Sequence, residues 1–113
     1  MRTNRKSTAR RSRKPTDWDL RLYIAGNTAK SNAALENLRA ICEEKLRDKY
    51  RIEIVDLLKH PDRASSDQIL AIPTLVRRVP TPIRKLIGDL SDRERVLMRL
   101  NLYIEGAYNV AAR

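Results

Sequence analysis

Phenylalanine is absent from this chain, and its 113 residues hold one tryptophan, four tyrosines and a single cysteine. Without Phe, the core must be built from aliphatic side chains. A lone Cys42 excludes an internal disulfide and a cysteine-rich zinc centre, and suits a reducing, cytoplasmic setting. The three glycines, Gly26, Gly88 and Gly106, are too far apart in sequence to cradle a phosphate. His60, the one histidine, stands in a polar His60-Pro61-Asp62 turn, where a surface position is expected rather than a general base. No apolar run is long enough to span a bilayer, and the N-terminus lacks the apolar segment of a secretory signal. Residues 2–15 also have too few apolar side chains for an amphipathic transit peptide.

What the chain has in excess is positive charge, and it is unevenly spread. Of 24 basic residues, seven (Arg2, Arg5, Lys6, Arg10, Arg11, Arg13, Lys14) stand in residues 1–15 without one acid, leaving 17 to balance 14 acidic residues elsewhere. The body is therefore only mildly basic, and the high isoelectric point belongs to a tail. Such a like-charge block is expected to be a solvated, disordered extension; the sharper alternative is an arm that touches phosphates or acidic surfaces. No interleaved aromatics or groove-reading motif accompany it, which disfavours sequence-specific recognition. The remainder suffices for one small domain, and we divide the chain into a tail (1–17), a folded domain (18–105) and a short C-terminal tail (106–113).

Order is expected from Trp18. Leu20, Leu22 and Ile24 alternate with Arg21, Tyr23 and Ala25 at the period of a strand, and Gly26-Asn27-Thr28 supplies turn chemistry. From about Ser31, Ala34, Leu35, Leu38, Ile41, Cys42 and Leu46 fall on one helical stripe. A second strand is expected over Tyr50–Leu57, completing a βαβ unit with a right-handed crossover. A polar connection with a short helix around Ser65–Leu70 should follow. Next comes a Val- and Leu-rich run broken by Pro73, Pro80 and Pro82. Proline removes a backbone donor and fixes φ, so it belongs at edges and bends. Ser91 and Glu94 have the spacing of a capping box, announcing a helix that buries Val96, Leu97, Leu100, Tyr103 and Ile104. The same residues also fit a strand, with Val96, Met98, Leu100 and Leu102 on one face.

A βαβ start and a proline before the third strand resemble thioredoxin-like domains. Redox enzymes of that class place C-x-x-C after the first strand, where a low-pKa thiolate attacks. Here that loop is AGNTAKS (25–31), without cysteine, and Cys42 stands mid-helix about three turns away. Thiol–disulfide chemistry is thereby disfavoured. Asp89 and Asp92 flank a helix start, where negative charge favours the helix dipole, and have no histidine or nucleophile beside them. No catalytic set, metal site or cofactor site is expected.

The segments LRLYIAGNT (20–28), IEIVDLLKHP (52–61), DQILAIPTLVRRVPTPIRKLIGDLSDRERVL (67–97) and MRLNL (98–102) closely resemble the KaiB family of circadian clock proteins. The resemblance covers roughly residues 19–104, and its most specific part is the IPTL…P-x-P-x-R-K-L-I-G-D-L-S-x-R-E block. It implies an α/β binding protein with two folds: a thioredoxin-like (βαβαββα) partner-binding state and a ground state (βαββααβ) with a rearranged C-terminal half. The implied partner is the N-terminal ring of a KaiC-like ATPase, and the implied ground state is a homo-oligomer, typically a tetramer. By the same resemblance Arg77, Arg84 and Lys85 are partner-binding residues, and Pro73, Pro80, Pro82, Gly88 and Asp89 are fold-switch residues. The family's P-P-P reads Pro80-Thr81-Pro82 here, and its N-T-P-N-S-V-R-A-L reads NTAKSNAAL (27–35), which loses an arginine at Ala33. The basic tail has no counterpart in the short cyanobacterial proteins. Both departures suggest a non-cyanobacterial relative.

Two folds share one sequence only when their free energies lie within a few kcal/mol, and uncatalysed proline isomerisation would make exchange slow. Gly88 and Asp89 are expected to form a turn in one fold and a helix entrance in the other. Three other readings stay open: a monomeric thioredoxin-like interaction module of the kind found in sensor kinases, nucleic-acid binding through the tail, and a thiol oxidoreductase. No membrane partner is expected, and nucleic-acid contact is expected only through the tail.

Overall fold

In a computed structural model, residues 18–102 are described. Four strands form one sheet: β1 (Trp18–Ile24), β2 (Tyr50–Asp56), β3 (Thr74–Val79) and β4 (Arg84–Ile87), in the order β2-β1-β3-β4. β1 and β2 are parallel, with Trp18 opposite Tyr50, and are joined by α1 (Ala29–Lys45). β3 runs antiparallel to β1 and to β4, and α2 (Arg93–Leu100) follows. This is the first of the two expected arrangements, with its second helix reduced to a 3-10 turn at Pro61–Ala64.

Both helices pack on one face of the sheet. There Leu20, Leu22, Leu38, Leu75, Leu86 and Leu100 are buried in one aliphatic core, each contributing about 1.5–3 kcal/mol by leaving water. The opposite face holds a smaller cluster of Tyr23, Val55 and Val76, covered by Leu57, Ile69 and Ile72 of the connecting segment. β1 is therefore buried on both faces, and Tyr23, which alternates with the Leu20–Leu22 face, is fully enclosed too.

Three local expectations are corrected. α1 begins at Ala29, because the Thr28 hydroxyl accepts the Ser31 amide at 3.1 Å and caps the helix earlier. The short helix expected around Ser65–Leu70 lies instead at Pro61–Ala64, where Pro61 suits a first turn and Gln68, at φ 55°, breaks any continuation. α2 is capped by Asp92 and not by Ser91. The Asp89 carboxylate accepts the Ser91 amide at 3.0 Å and Leu90 adopts φ 62°, so Ser91 belongs to a turn and Asp92 accepts from the Arg95 amide. Asn101, at φ 61°, ends α2, and the Leu102 amide returns to the Leu97 carbonyl. Of the expected buried face, Val96 and Leu100 are buried and Leu97 partly so; Tyr103 and Ile104 lie outside the described residues.

Candidate binding surface and hinge

Pro73, Pro80 and Pro82 each follow a cis peptide bond. Pro73 is buried at the head of β3, and its carbonyl accepts the Gly88 amide at 2.9 Å, extending the β3–β4 ladder by one step. Two of the expected hinge positions, fifteen residues apart in sequence, therefore touch. Gly88 has φ +117°, which L side chains rarely adopt, with open space where a Cβ would stand. Asn37 of α1 donates to the Asp89 carbonyl at 2.8 Å, anchoring the hinge to the first helix. Hydrogen bonds from Ser91, reinforced by the Lys30 charge, hold the Asp89 carboxyl below its usual value. A cavity of about 110 Å³ lies against these residues, between Leu86 and Val96. Pro80 and Pro82 sit together in the β3–β4 turn at the opposite end of the sheet.

The three cations expected to contact a partner do not form one patch. Arg77 is 2% exposed. Its Nη1 donates to the Leu100 carbonyl at 2.8 Å, its Nη2 donates to the Pro82 carbonyl at 2.7 Å, and its guanidinium lies 5.3 Å from the centre of the Trp18 ring. In this arrangement it is an internal clamp rather than a surface contact. Burial, with the neighbouring Arg84 charge, lowers its pKa. Arg84 stands opposite Arg77, and Lys85 opposite Val76, so alternation sends Arg84 and Lys85 to opposite faces. Arg84 lines an open groove of about 580 Å³ with Glu94, Arg95, Met98 and Arg99 of α2 and its caps Asp92 and Asn101.

A second polar assembly had no counterpart in our sequence reading. The Tyr23 hydroxyl donates to Asp67 Oδ2 at 2.7 Å, Arg21 reaches the same oxygen at 3.2 Å, and Arg78 reaches Oδ1 at 3.3 Å. Arg21 also holds Glu53 at 2.9 Å, and Arg63 holds its other oxygen at 3.2 Å. Burial opposes ionisation of Glu53, but hydrogen bonds from Arg63 and Arg21 and their charges outweigh it and lower its pKa. The sole advance signal was that Arg21 and Tyr23, two apart in a strand, share a face.

The loop after β1 holds no thiol. Instead, Asp56 accepts the Gly26 amide at 3.0 Å and the Leu58 amide at 3.0 Å, which fixes the turn. Cys42 is buried on α1, and burial together with Glu43 pushes its thiol up to about 12, where a reactive thiolate is scarce at neutral pH. His60 is exposed. Among the described residues, no helix is long and apolar enough to cross a membrane.

Comparison with known proteins agrees with this layout. A family model described as the KaiB domain matches residues 21–102. KaiB from Prochlorococcus marinus is 53% identical over 83 residues, covering 74% of this chain and 70% of that protein. Circadian clock protein KaiB3 from Synechocystis is 45% identical over 87 residues, covering 77% of this chain and 85% of that one. Among solved structures, the N-terminal domain of Synechococcus elongatus SasA superposes with TM-score 0.63 at 15% identity, covering 89% of this chain and 93% of that one. Mitochondrial thioredoxin 3 from Saccharomyces cerevisiae gives 0.61 at 18% identity, covering 77% and 80%. At such identities the two structures establish a thioredoxin-like fold and nothing more.

Proposed function

The chain belongs to the KaiB family of clock proteins, and from that premise we propose a non-enzymatic timer that switches fold to engage a KaiC-like ATPase. In the arrangement described here it binds the N-terminal ring of that ATPase and modulates its phosphorylation cycle. In the second arrangement it self-associates, typically as a tetramer, with its C-terminal half rebuilt. A partner that binds one state alone sees its affinity reduced by that state's population, so exchange between folds sets how soon the complex forms.

The observation that carries this reading is the thioredoxin-like core without its thiol, in a chain that matches the KaiB domain from residue 21 to 102. Residues 96–102 add support. As a helix they bury Val96 and Leu100 but leave Met98 60% exposed. As a strand they would align Val96, Met98, Leu100 and Leu102 on one apolar face, so Met98 has a better use in the other fold. Pro73, Gly88 and Asp89 bracket the segment that would move, and Pro80 and Pro82 turn the chain at its far end. Arg84 and Lys85 are the cations left for the partner, while Arg77 holds α2 down.

Size-exclusion chromatography of the full chain, alone and with a KaiC-like ATPase plus ATP, tests the proposal. A tetramer that converts slowly to an ATPase complex is the expected result. A chain that stays monomeric at every concentration and never co-elutes would sink it. A monomer that binds promptly would favour the second reading, a non-switching thioredoxin-like interaction module.

A further inference from the structure

Residues 57–72 leave the end of β2, lie against the sheet face opposite the helices and deliver the chain to Pro73 at the head of β3. Their hold on that face is not chiefly apolar. Leu57, Ile69 and Ile72 are only partly buried against Tyr23, Val55 and Val76, while Leu58 and Leu70 are 71% and 96% exposed. Asp67 is the one buried residue of the segment. A carboxylate is rarely buried unless it is paired, so the point of attachment is polar.

The two oxygens of Asp67 meet three donors from two strands. Oδ2 accepts from the Tyr23 hydroxyl at 2.7 Å and from Arg21 at 3.2 Å, both of β1, and Oδ1 accepts from Arg78 of β3 at 3.3 Å. Tyr23 is fully buried, so loss of the carboxylate strands a buried hydroxyl and two guanidiniums at once. The segment's other ion pair, Arg63–Glu53, has side chains 34% and 40% exposed and adds little. Gln68, next after Asp67, stands at φ 55°, so the chain bends sharply just past its anchor. β3 is thereby fastened by adjacent residues on opposite faces. Arg77 reaches the Leu100 and Pro82 carbonyls, and Arg78 reaches Asp67.

We propose that Asp67 is the latch of a strap: when its carboxylate lets go, residues 57–72 lift from the sheet as one unit and β3 loses its side-chain tie to β1, while the α1 core stays closed. Directional contacts fail together once their partners move out of hydrogen-bond reach. The half-buried Leu57, Ile69 and Ile72 are then all that hold the segment, and segments with few buried apolar contacts open first. Asp67 is a positioning residue that acts through Tyr23, Arg21 and Arg78. Its bearing on the fold switch rests on the function proposed above. The strap joins the half of the chain that is kept to the half that is rebuilt, so an open latch is the first step out of this arrangement.

Native-state hydrogen exchange of the full chain tests the latch, and oligomer mass at fixed concentration tests its link to the switch. Asp67→Asn keeps an acceptor for Tyr23 but removes the charge. Amides of residues 57–72 and of β3 should then exchange at least about tenfold faster, with α1 changed by less than about twofold. Tyr23→Phe removes one hydrogen bond and leaves both arginine contacts, so it should give the same pattern at about threefold; it serves where Asp67→Asn fails to fold. Adding Arg78→Gln to Asp67→Asn should change β3 little further, because the two share one contact. The tetramer fraction should rise in Asp67→Asn and Tyr23→Phe alike. Exchange in α1 that rises as much as in the strap, a strap whose exchange is unchanged, or an interconverting chain whose tetramer fraction stays the same in both variants would each overturn the proposal. If the wild-type chain shows one arrangement only, the functional reading fails by itself and the exchange pattern still decides the latch.

Discussion

The first half of the chain, β1–α1–β2, holds its shape through apolar burial and local caps, whereas the second half, β3–β4–α2, leans on side chains that reach backbone carbonyls from far along the sequence. α1 buries Ala34, Leu38, Ile41 and Cys42 on one stripe and carries its own cap at Thr28. α2 is eight residues long, and its last carbonyl is satisfied by Arg77, 23 residues earlier. It is bracketed by Leu90 and Asn101 in the left-handed region, with Gly88 also at positive φ just before. Apolar burial is non-directional and survives small shifts, while a guanidinium clamp is lost once either partner moves. The second half is therefore the half whose fixing contacts a small shift would break first.

The largest effect should come from the first half. Leu38→Ala removes a fully buried side chain from the core that both helices share and should destabilise the protein by about 3 kcal/mol. Denaturant unfolding and hydrogen exchange should report that loss in α1 and α2 together. Exchange that rises in α2 alone would undo the comparison.

A smaller and more local effect is expected from Arg77→Met, which keeps an apolar stem but abandons the Leu100 and Pro82 carbonyls. The cost should be about 2 kcal/mol, with faster exchange in α2 and the Pro80–Pro82 turn and little change in α1. A shift in oligomer mass should accompany it. If α1 loosens equally, Arg77 supports the whole fold and not the second half.

Gly88→Ala acts through the backbone only, since nothing stands within 4 Å of the new methyl. The positive φ should cost about 1 kcal/mol in this arrangement and shift the population away from it. Two-dimensional NMR spectra and oligomer mass that both stay unchanged would remove Gly88 from the hinge.

Acidification gives the finest comparison. Glu53, Asp56 and Asp89 all have carboxyl pKa values below their ordinary 4.5, 3.8 and 3.8. A pKa lowered by folding stabilises the native state above the unfolded value, and that contribution is lost as pH falls through the folded value. Stability should therefore be flat near neutrality and decline below about pH 4. Asp89→Asn should remove part of that decline while leaving the exchange of α1 unaltered; a profile with no decline would contradict the assigned hydrogen bonds.

How much was legible follows the same division. β1, α1 and β2 could be read within a residue or two, because strand and helix periods are local properties of the chain. The helix after Gly88 was legible too, but not which of its two periods would hold. Cap positions moved by one or two residues because neighbouring side chains compete for the same amides: Asp89 took the Ser91 amide and left Asp92 as the cap. Arg77 entered as a partner-binding residue by resemblance alone, and nothing nearby in sequence announces its carbonyl acceptors at Leu100 and Pro82. The Asp67 network was invisible for the same reason, since Tyr23 and Arg21 lie 44 and 46 residues away.

By itself the amino-acid sequence determined the family, the aliphatic βαβ core, the missing redox thiol and the basic tail, all of which rest on residue identity and short-range spacing. Tertiary structure decided that Arg77 turns inward, that Arg84 and Lys85 part to opposite faces, that Pro73 meets Gly88, and that Arg21 and Arg78 converge on Asp67. Those outcomes depend on which distant backbone groups and charges the sheet brings within about 3 Å, the reach of a hydrogen bond, and no local pattern encodes that distance.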